Sequence, residues 1–180
     1  MSTLFVNNLN TASGTDITIP TGKTLVVTDE GGLRVPGTVI QTLHGNMNAV
    51  NVSSTTMADI GTLSITPKYN NSKILVTFLT HIYVTENASD AWRGTNIRLL
   101  RDSTVIYGDG TSGYGHGRFE RDDQNRYMAY QTRQFLDSPS TASAITYKVQ
   151  ANSIAGLVNC LFNNASYGSG GNMTLMEIAQ

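Results

Sequence analysis

The chain has 180 residues, enough for one ordinary domain with a core but too few for a second full domain beside it. Charged residues make up 14% of it, and 12 basic against 13 acidic groups leave a net charge of −1, which argues against an electrostatic nucleic-acid binder, since that needs a basic face. Thr, Asn and Ser number 54 and Gly 17, a composition that favours turns and sheet surfaces over helices. The expectation is an all-β protein.

The one cysteine, Cys160, excludes an intramolecular disulfide and a multi-cysteine zinc site. No apolar run approaches the ~18 residues of a membrane span. Met1 to Asn10 lacks the charged start and apolar stretch of a signal peptide. These features predict a protein made in a cytoplasm, without membrane insertion.

In chain order, residues 1–40 read as short extended pieces: Leu4-Phe5-Val6, Ile17-Thr18-Ile19 and Leu25-Val26-Val27. Turn residues separate them at Ser13-Gly14, Pro20-Thr21-Gly22 and Gly31-Gly32. The segment has too few large apolar residues for a core, and a lone two-stranded ribbon is marginal in water. It must lean on the rest of the chain, on other copies or on a partner. Residues 41–180 are the expected β-sandwich head.

Strands are predicted over Val39–Leu43, Leu63–Ile65 and Lys73–Val84. The last is the strongest, with Ile74, Val76, Phe78, Ile82 and Val84 on one face. Leu75, Leu79 and Tyr83 on the other face predict cover on both sides for part of its length. Asn96–Leu100 and Thr104–Tyr107 flank Asp102-Ser103 as a hairpin. Further strands are expected over Met128–Leu136, Ile145–Ala151, Leu157–Phe162 and Met173–Ile178, giving about eight strands in a jelly-roll-like sandwich.

Chemistry is sparse. His44, His81 and His116 have no carboxylate at a recognisable spacing, and His81, inside the strongest strand, is expected to be packed and hydrogen-bonded. No nucleophile elbow, phosphate loop or paired-histidine metal motif occurs. Gly108 to Gly117 carries five glycines but leads into no helix, so it reads as a surface loop. Asp109, Asp122 and Asp123 match no calcium-loop spacing. No cofactor and no catalysis are expected.

Residues 108–127 form the longest connection of the core region, and long loops on a rigid scaffold commonly carry function. Tyr114, His116, Phe119 and Tyr127 offer flat faces for sugar rings, and Arg121 and its charged neighbours offer hydrogen bonds. Trp92, in the 86–94 connection, is either a platform for a ligand or a plug for one end of the sandwich. The competing reading of 108–127 is a loop that seals a subunit contact through Arg118, Arg121 and Arg126 with Glu120, Asp122 or Asp123.

The run Ser13-Gly14-Thr15-Asp16-Ile17-Thr18-Ile19-Pro20-Thr21-Gly22-Lys23-Thr24-Leu25, followed by Val35-Pro36-Gly37-Thr38-Val39-Ile40-Gln41, resembles the start of tail-fibre-type virion structural proteins of tailed bacteriophages. Ile65-Thr66-Pro67-Lys68, Ser72-Lys73-Ile74-Leu75-Val76, Leu136-Asp137-Ser138-Pro139, Thr146-Tyr147-Lys148-Val149 and Leu175-Met176-Glu177-Ile178 are similar too. All are strand and turn sequence rather than chemistry, and the chain lacks a long repetitive shaft. The resemblance implies a homotrimer whose N-terminal segment docks on other tail or baseplate proteins and whose head binds a host surface glycan or protein. The alternative is a capsid-decorating or tail/baseplate connector protein with a mechanical role.

Overall fold

The computed structural model describes residues 18–28, 32–85, 94–108, 117–118, 126–153, 159–166, 168 and 170–180. Among them are eleven strands: β1 (Val39–Asn46), β2 (Val50–Val52), β3 (Ala58–Ile65), β4 (Lys73–Thr85), β5 (Gly94–Arg101), β6 (Thr104–Tyr107), β7 (Gly117–Arg118), β8 (Arg126–Asp137), β9 (Ile145–Ser153), β10 (Asn159–Phe162) and β11 (Asn172–Ile178). The expected strands are all present, most of them longer by a few residues. The short β2 and β7 are additions, and β7 places a paired segment inside the 108–127 stretch expected to be irregular.

Two antiparallel sheets pack into a β-sandwich. In the first sheet, β4 is the spine. Along one flank it pairs with β8 from Ile74 to Thr85. Along the other it pairs with β11 over Lys73–Leu79 and with β10 over Ile82–Thr85. β1 lies beyond β11 and β2 beyond β10, so β8 is an edge among the described residues. The second sheet runs β3-β9-β5-β6, with β7 on the end of β5. Strands from the two halves of the sequence thus nest, β1 beside β11, β3 beside β9 and β4 beside β8.

The alternation read from β4 decides which side faces the core. Ile74, Val76, Phe78, Ile82 and Val84 are buried and meet Ile60, Ile97, Leu99, Tyr147, Val149 and Ala151 of the opposite sheet in one cluster. Residues 80–84 are buried without a break, so β4 is covered on both faces at that end, as its two-sided hydrophobicity predicts. The β5–β6 hairpin turns at Asp102, whose φ of 53° lies in the left-handed region that Asp tolerates. Its carboxylate and main-chain N–H bond to the N–H and carbonyl of Thr146 (2.9 and 2.7 Å) and fix the turn against β9.

Residues 18–28 hold no strand. The expected turn is there, with Lys23 N–H donating to the Pro20 carbonyl at 3.0 Å and Gly22 at φ 76°, but the extended pieces around it have no sheet partner among the described residues. Leu25 and Val26 are 59% and 74% exposed. From Arg34 onward the chain is tied down. Gly37 N–H donates to the Ala179 carbonyl and Ala179 N–H to the Thr38 carbonyl, both at 2.9 Å, and Arg34 reaches Asn71, the Gln180 carbonyl and the Tyr69 ring. β1 starts at Val39 and runs across the expected boundary at residues 40/41. Leu4 to Val6 and Ile17 lie outside the described residues.

Candidate functional site

The strand register gives the sandwich two unlike ends. At one end Val39 pairs with Ile178 and Ile178 with Lys73, so the N-terminal segment enters beside the C-terminus. At the other end Thr85 pairs with both Arg126 and Asn159, and Thr95 with both Ser153 and Gly117. These residues bound the connections 86–93, 109–116, 119–125 and 154–158. Every connection expected to contact a ligand is therefore anchored at the end opposite the N-terminal segment.

Of the expected site residues, Trp92, Tyr114, His116, Phe119 and Arg121 lie outside the described residues. Tyr127 lies in β8 opposite Val84, one residue from the strand's start at this end. Asp109, Asp122 and Asp123 also lie outside the described residues. Among those described, no three His, Cys, Asp or Glu residues come together as metal ligands, and no helix is long and apolar enough to cross a membrane.

Near the loop-bearing end several buried groups are polar. Asn96 Nδ2 donates to Asn152 Oδ1 (3.0 Å), Asn152 Nδ2 to the Thr55 carbonyl (2.7 Å), and Ser153 N–H to the Ser54 carbonyl (3.0 Å). These bonds hold the 53–57 turn over the ends of β5 and β9. Cys160 is buried here, and burial pushes its thiol up to about 11 against a hydrogen bond with Ser153. It is a neutral packed side chain at neutral pH rather than a nucleophile.

The opposite end is pinned by buried charge. Asp137 of β8 accepts two bonds from Arg101 Nη1, both at 2.9 Å, and one from the Tyr147 hydroxyl at 2.8 Å, joining the two sheets. Burial raises the pKa of Tyr147, and the bond to Asp137 adds to the rise. Glu177 is fully buried on β11. Burial alone would raise its pKa, but hydrogen bonds from Gln41, the Lys68 and Tyr69 N–H groups and Ser72 outweigh it and hold the carboxyl below the usual range. Both networks are structural, and isolated Asp and Glu positions in a strand pattern give no sign of them.

The outward faces of the sheets differ in charge. On the second sheet Arg98 Nε donates to Gln150 (2.8 Å), Gln150 to Asp59 (2.6 Å), and Lys148 lies 3.9 Å from Asp59. On the first, the outward rows are Thr42-Met176-Leu75-Leu136, His44-Thr174-Thr77-Gln134 and Asn46-Asn172-Leu79-Thr132, then Tyr130 and Met128. Lys73 is the lone formal charge in this set of rows and their extension to Ile178. Met128, Tyr130 and Leu136 are 50%, 51% and 48% exposed.

His81 is packed as expected but not bonded as expected. It is completely buried on the outward side of β4, and neither ring nitrogen has a hydrogen-bond partner among the described residues. Asn163, which sequence reasoning passed over, lies beside it with φ 53°, donating its N–H to the His81 carbonyl (2.8 Å) and accepting the His81 N–H at Oδ1 (3.2 Å). No protein family and no curated protein matches this sequence.

Proposed function

We propose that this chain is a structural protein of a tailed-bacteriophage virion: a short homotrimeric tail fibre whose β-sandwich head binds the host cell surface. The observation that carries the reading is the separation of ends. The segment with unpartnered apolar residues enters at one end, and the connections bearing Trp92, Tyr114, His116, Phe119 and Arg121 are anchored at the other. An attachment protein needs this polarity, with docking behind and recognition in front. The nesting of β1 with β11, β3 with β9 and β4 with β8 is the connectivity that a jelly roll asks for.

Assembly is supported by the first sheet's outward face. Identical copies around a symmetry axis set like against like, so a face almost free of charge can be shared without repulsion. The exposed Leu25, Val26, Val27, Leu33 and Val35 also gain cover if copies run side by side. The protein is made in the host cytoplasm and carried in the virion tail. The reading needs no cofactor and assigns no reaction.

The test is the triple alanine variant of Tyr114, His116 and Phe119. Binding to host cells should fall at least tenfold, by order of magnitude, while light scattering still gives the trimer mass. Normal binding by the variant sinks the recognition role and leaves the capsid-decorating or connector role. Deleting residues 1–31, which spares the ties of Arg34 and Gly37, should leave a folded head that no longer joins the particle. A truncated chain that still incorporates moves the docking surface to the head.

A further inference from the structure

The carboxylate of Glu177 does more than fill its place in the core. Gln41 Nε2 donates to its Oε2 at 2.6 Å, Lys68 N–H to both oxygens at 2.9 and 3.0 Å, and Tyr69 N–H to Oε1 at 3.2 Å. Gln41 Nε2 also donates to the Thr66 carbonyl (2.8 Å), which fixes the amide with its nitrogen toward the carboxylate. These bonds seat the 67–72 turn between β3 and β4, which Ser72 N–H closes onto the Tyr69 carbonyl at 3.3 Å. Pro67 and Ser72, at the two ends of the turn, are buried.

The same turn holds the strap that leads into β1. Arg34 Nη2 donates to Asn71 Oδ1 (2.7 Å) and to the Gln180 carbonyl (3.0 Å), and its guanidinium carbon lies 4.5 Å from the centre of the Tyr69 ring. Two of these three partners belong to the turn. Thr38 closes the strap by donating its N–H (3.0 Å) and its hydroxyl (2.7 Å) to the Val35 carbonyl. The bonds of Gly37 and Thr38 to Ala179 complete it. One short stretch of chain, 177–180, therefore carries the turn through Glu177 and the strap through Ala179 and Gln180.

We propose that Glu177 is the pin of an acid-released clasp: when its carboxyl takes a proton, the 67–72 turn comes away from β11 and the Arg34–Thr38 strap loosens from the head. The inference is independent of the tail-fibre reading. A protonated carboxyl would aim an O–H at groups that are themselves donors, so the turn loses the acceptor that seats it. Around the carboxyl, β1 presents Gln41, the end of β3 the Thr66 carbonyl, and β4 Ile74, with Lys73 on the opposite face. Across Ile74 in the same inward row lies Asp137, whose charge is met by Arg101 and the Tyr147 hydroxyl. The Lys68 side chain and Arg34 are exposed, and the Tyr69 phenol is half-buried. Hydrogen bonds outweigh burial and hold the Glu177 pKa below 4.5. The clasp is therefore fully closed above 4.5 and opens as pH falls through the lowered value.

Amide hydrogen exchange on the intact protein tests this, followed from about pH 7 to about pH 2.5 beside the carboxyl resonance of Glu177. After correction for intrinsic rates, protection of the Lys68 and Tyr69 amides should fall about tenfold or more through the Glu177 midpoint. Protection of Gly37 and Thr38 should fall with it by about threefold or more, the scale of an exposed cation's contacts. The Val76 amide, in the middle of the first sheet, should stay protected over the same range. Glu177→Gln should leave turn and strap open at neutral pH and flat with pH. Arg34→Ala should open the strap alone, while Lys68 and Tyr69 still titrate. Strap amides that keep their protection through the Glu177 midpoint overturn the proposal, as does a strap that still titrates in Arg34→Ala. A Val76 amide that opens at the same midpoint also overturns it, since the whole head then unfolds. If Glu177→Gln does not fold, the native titration and Arg34→Ala decide on the same terms.

Discussion

The two sheets of this sandwich share a core but present different faces to the outside. The second sheet is dressed for water: Arg98, Gln150, Asp59 and Lys148 form a chain of polar contacts across three strands. The first carries threonines, asparagines, methionines and leucines, with an edge strand, β8, twelve residues long. Natural sheets blunt such edges with lysines, prolines or bulges. Among the side chains of β8 from Met128 to Leu136, Arg133 is the one charge, and it turns back to the Thr132 carbonyl and Gln131. The difference teaches that charge here is placed by face and not by exposure, which is the basis for assigning the first sheet to contact between copies.

The sharpest way to break that comparison is to put charge where it is missing. Leu136→Asp changes a half-exposed side chain, so the stability of the isolated head should move by no more than about 0.5 kcal/mol. On the proposed trimer, its mass by light scattering should nevertheless fall to that of a monomer. Thr62→Asp, exposed on the second sheet, should leave the mass unchanged. Equal behaviour of the two variants removes the distinction between the faces.

Charge between the sheets should matter more for folding than charge outside them. Asp137→Ala strands the Arg101 guanidinium and the Tyr147 hydroxyl, and urea unfolding should show a loss of about 3 kcal/mol. Glu177→Gln turns an acceptor into a donor facing the Lys68 and Tyr69 N–H groups, with a loss of roughly 1–3 kcal/mol. Glu177 also carries a pH signature. Because the Glu177 carboxyl is held below 4.5 in the fold, its contribution is complete above 4.5 and is lost as pH falls through the lowered value. In Glu177→Gln that acid limb of the stability curve should flatten. At the small end, Lys148→Gln should change unfolding by less than about 0.5 kcal/mol, since its 3.9 Å pair with Asp59 is exposed on both sides.

Much of this fold is legible in the sequence because strand alternation reports burial directly. Ile145, Tyr147, Val149 and Ala151 are buried as their spacing predicts, and β4 is double-sided where Tyr83 joins the pattern. Strands of two or three residues, such as β2 and β7, have too few positions to show a period. The hubs were hidden for a different reason. Asn163, Glu177 and Asp137 act through partners 10 to 136 residues away in sequence, a closeness that only the register creates. Loop length and side-chain type mark the candidate recognition residues in the sequence, and what the strands add is the shared end of the sandwich from which their connections leave.

The register of β1 has a mechanical consequence. The N-terminal segment leaves β1 at Val39, at the end opposite the loop-bearing one, and β1 is an outer strand held to β11 at seven paired positions from Val39 to Asn46. A pull on that segment with the far end held runs along the strand, so the antiparallel bonds lie across it and share the load in shear rather than opening one by one. Single-molecule stretching between residue 35 and the β9–β10 connection should therefore give a higher rupture force than stretching between residues 35 and 180, which peels Val39 from Ile178 first. A protein anchored by its N-terminus and held at its tip would meet tension along its stronger direction.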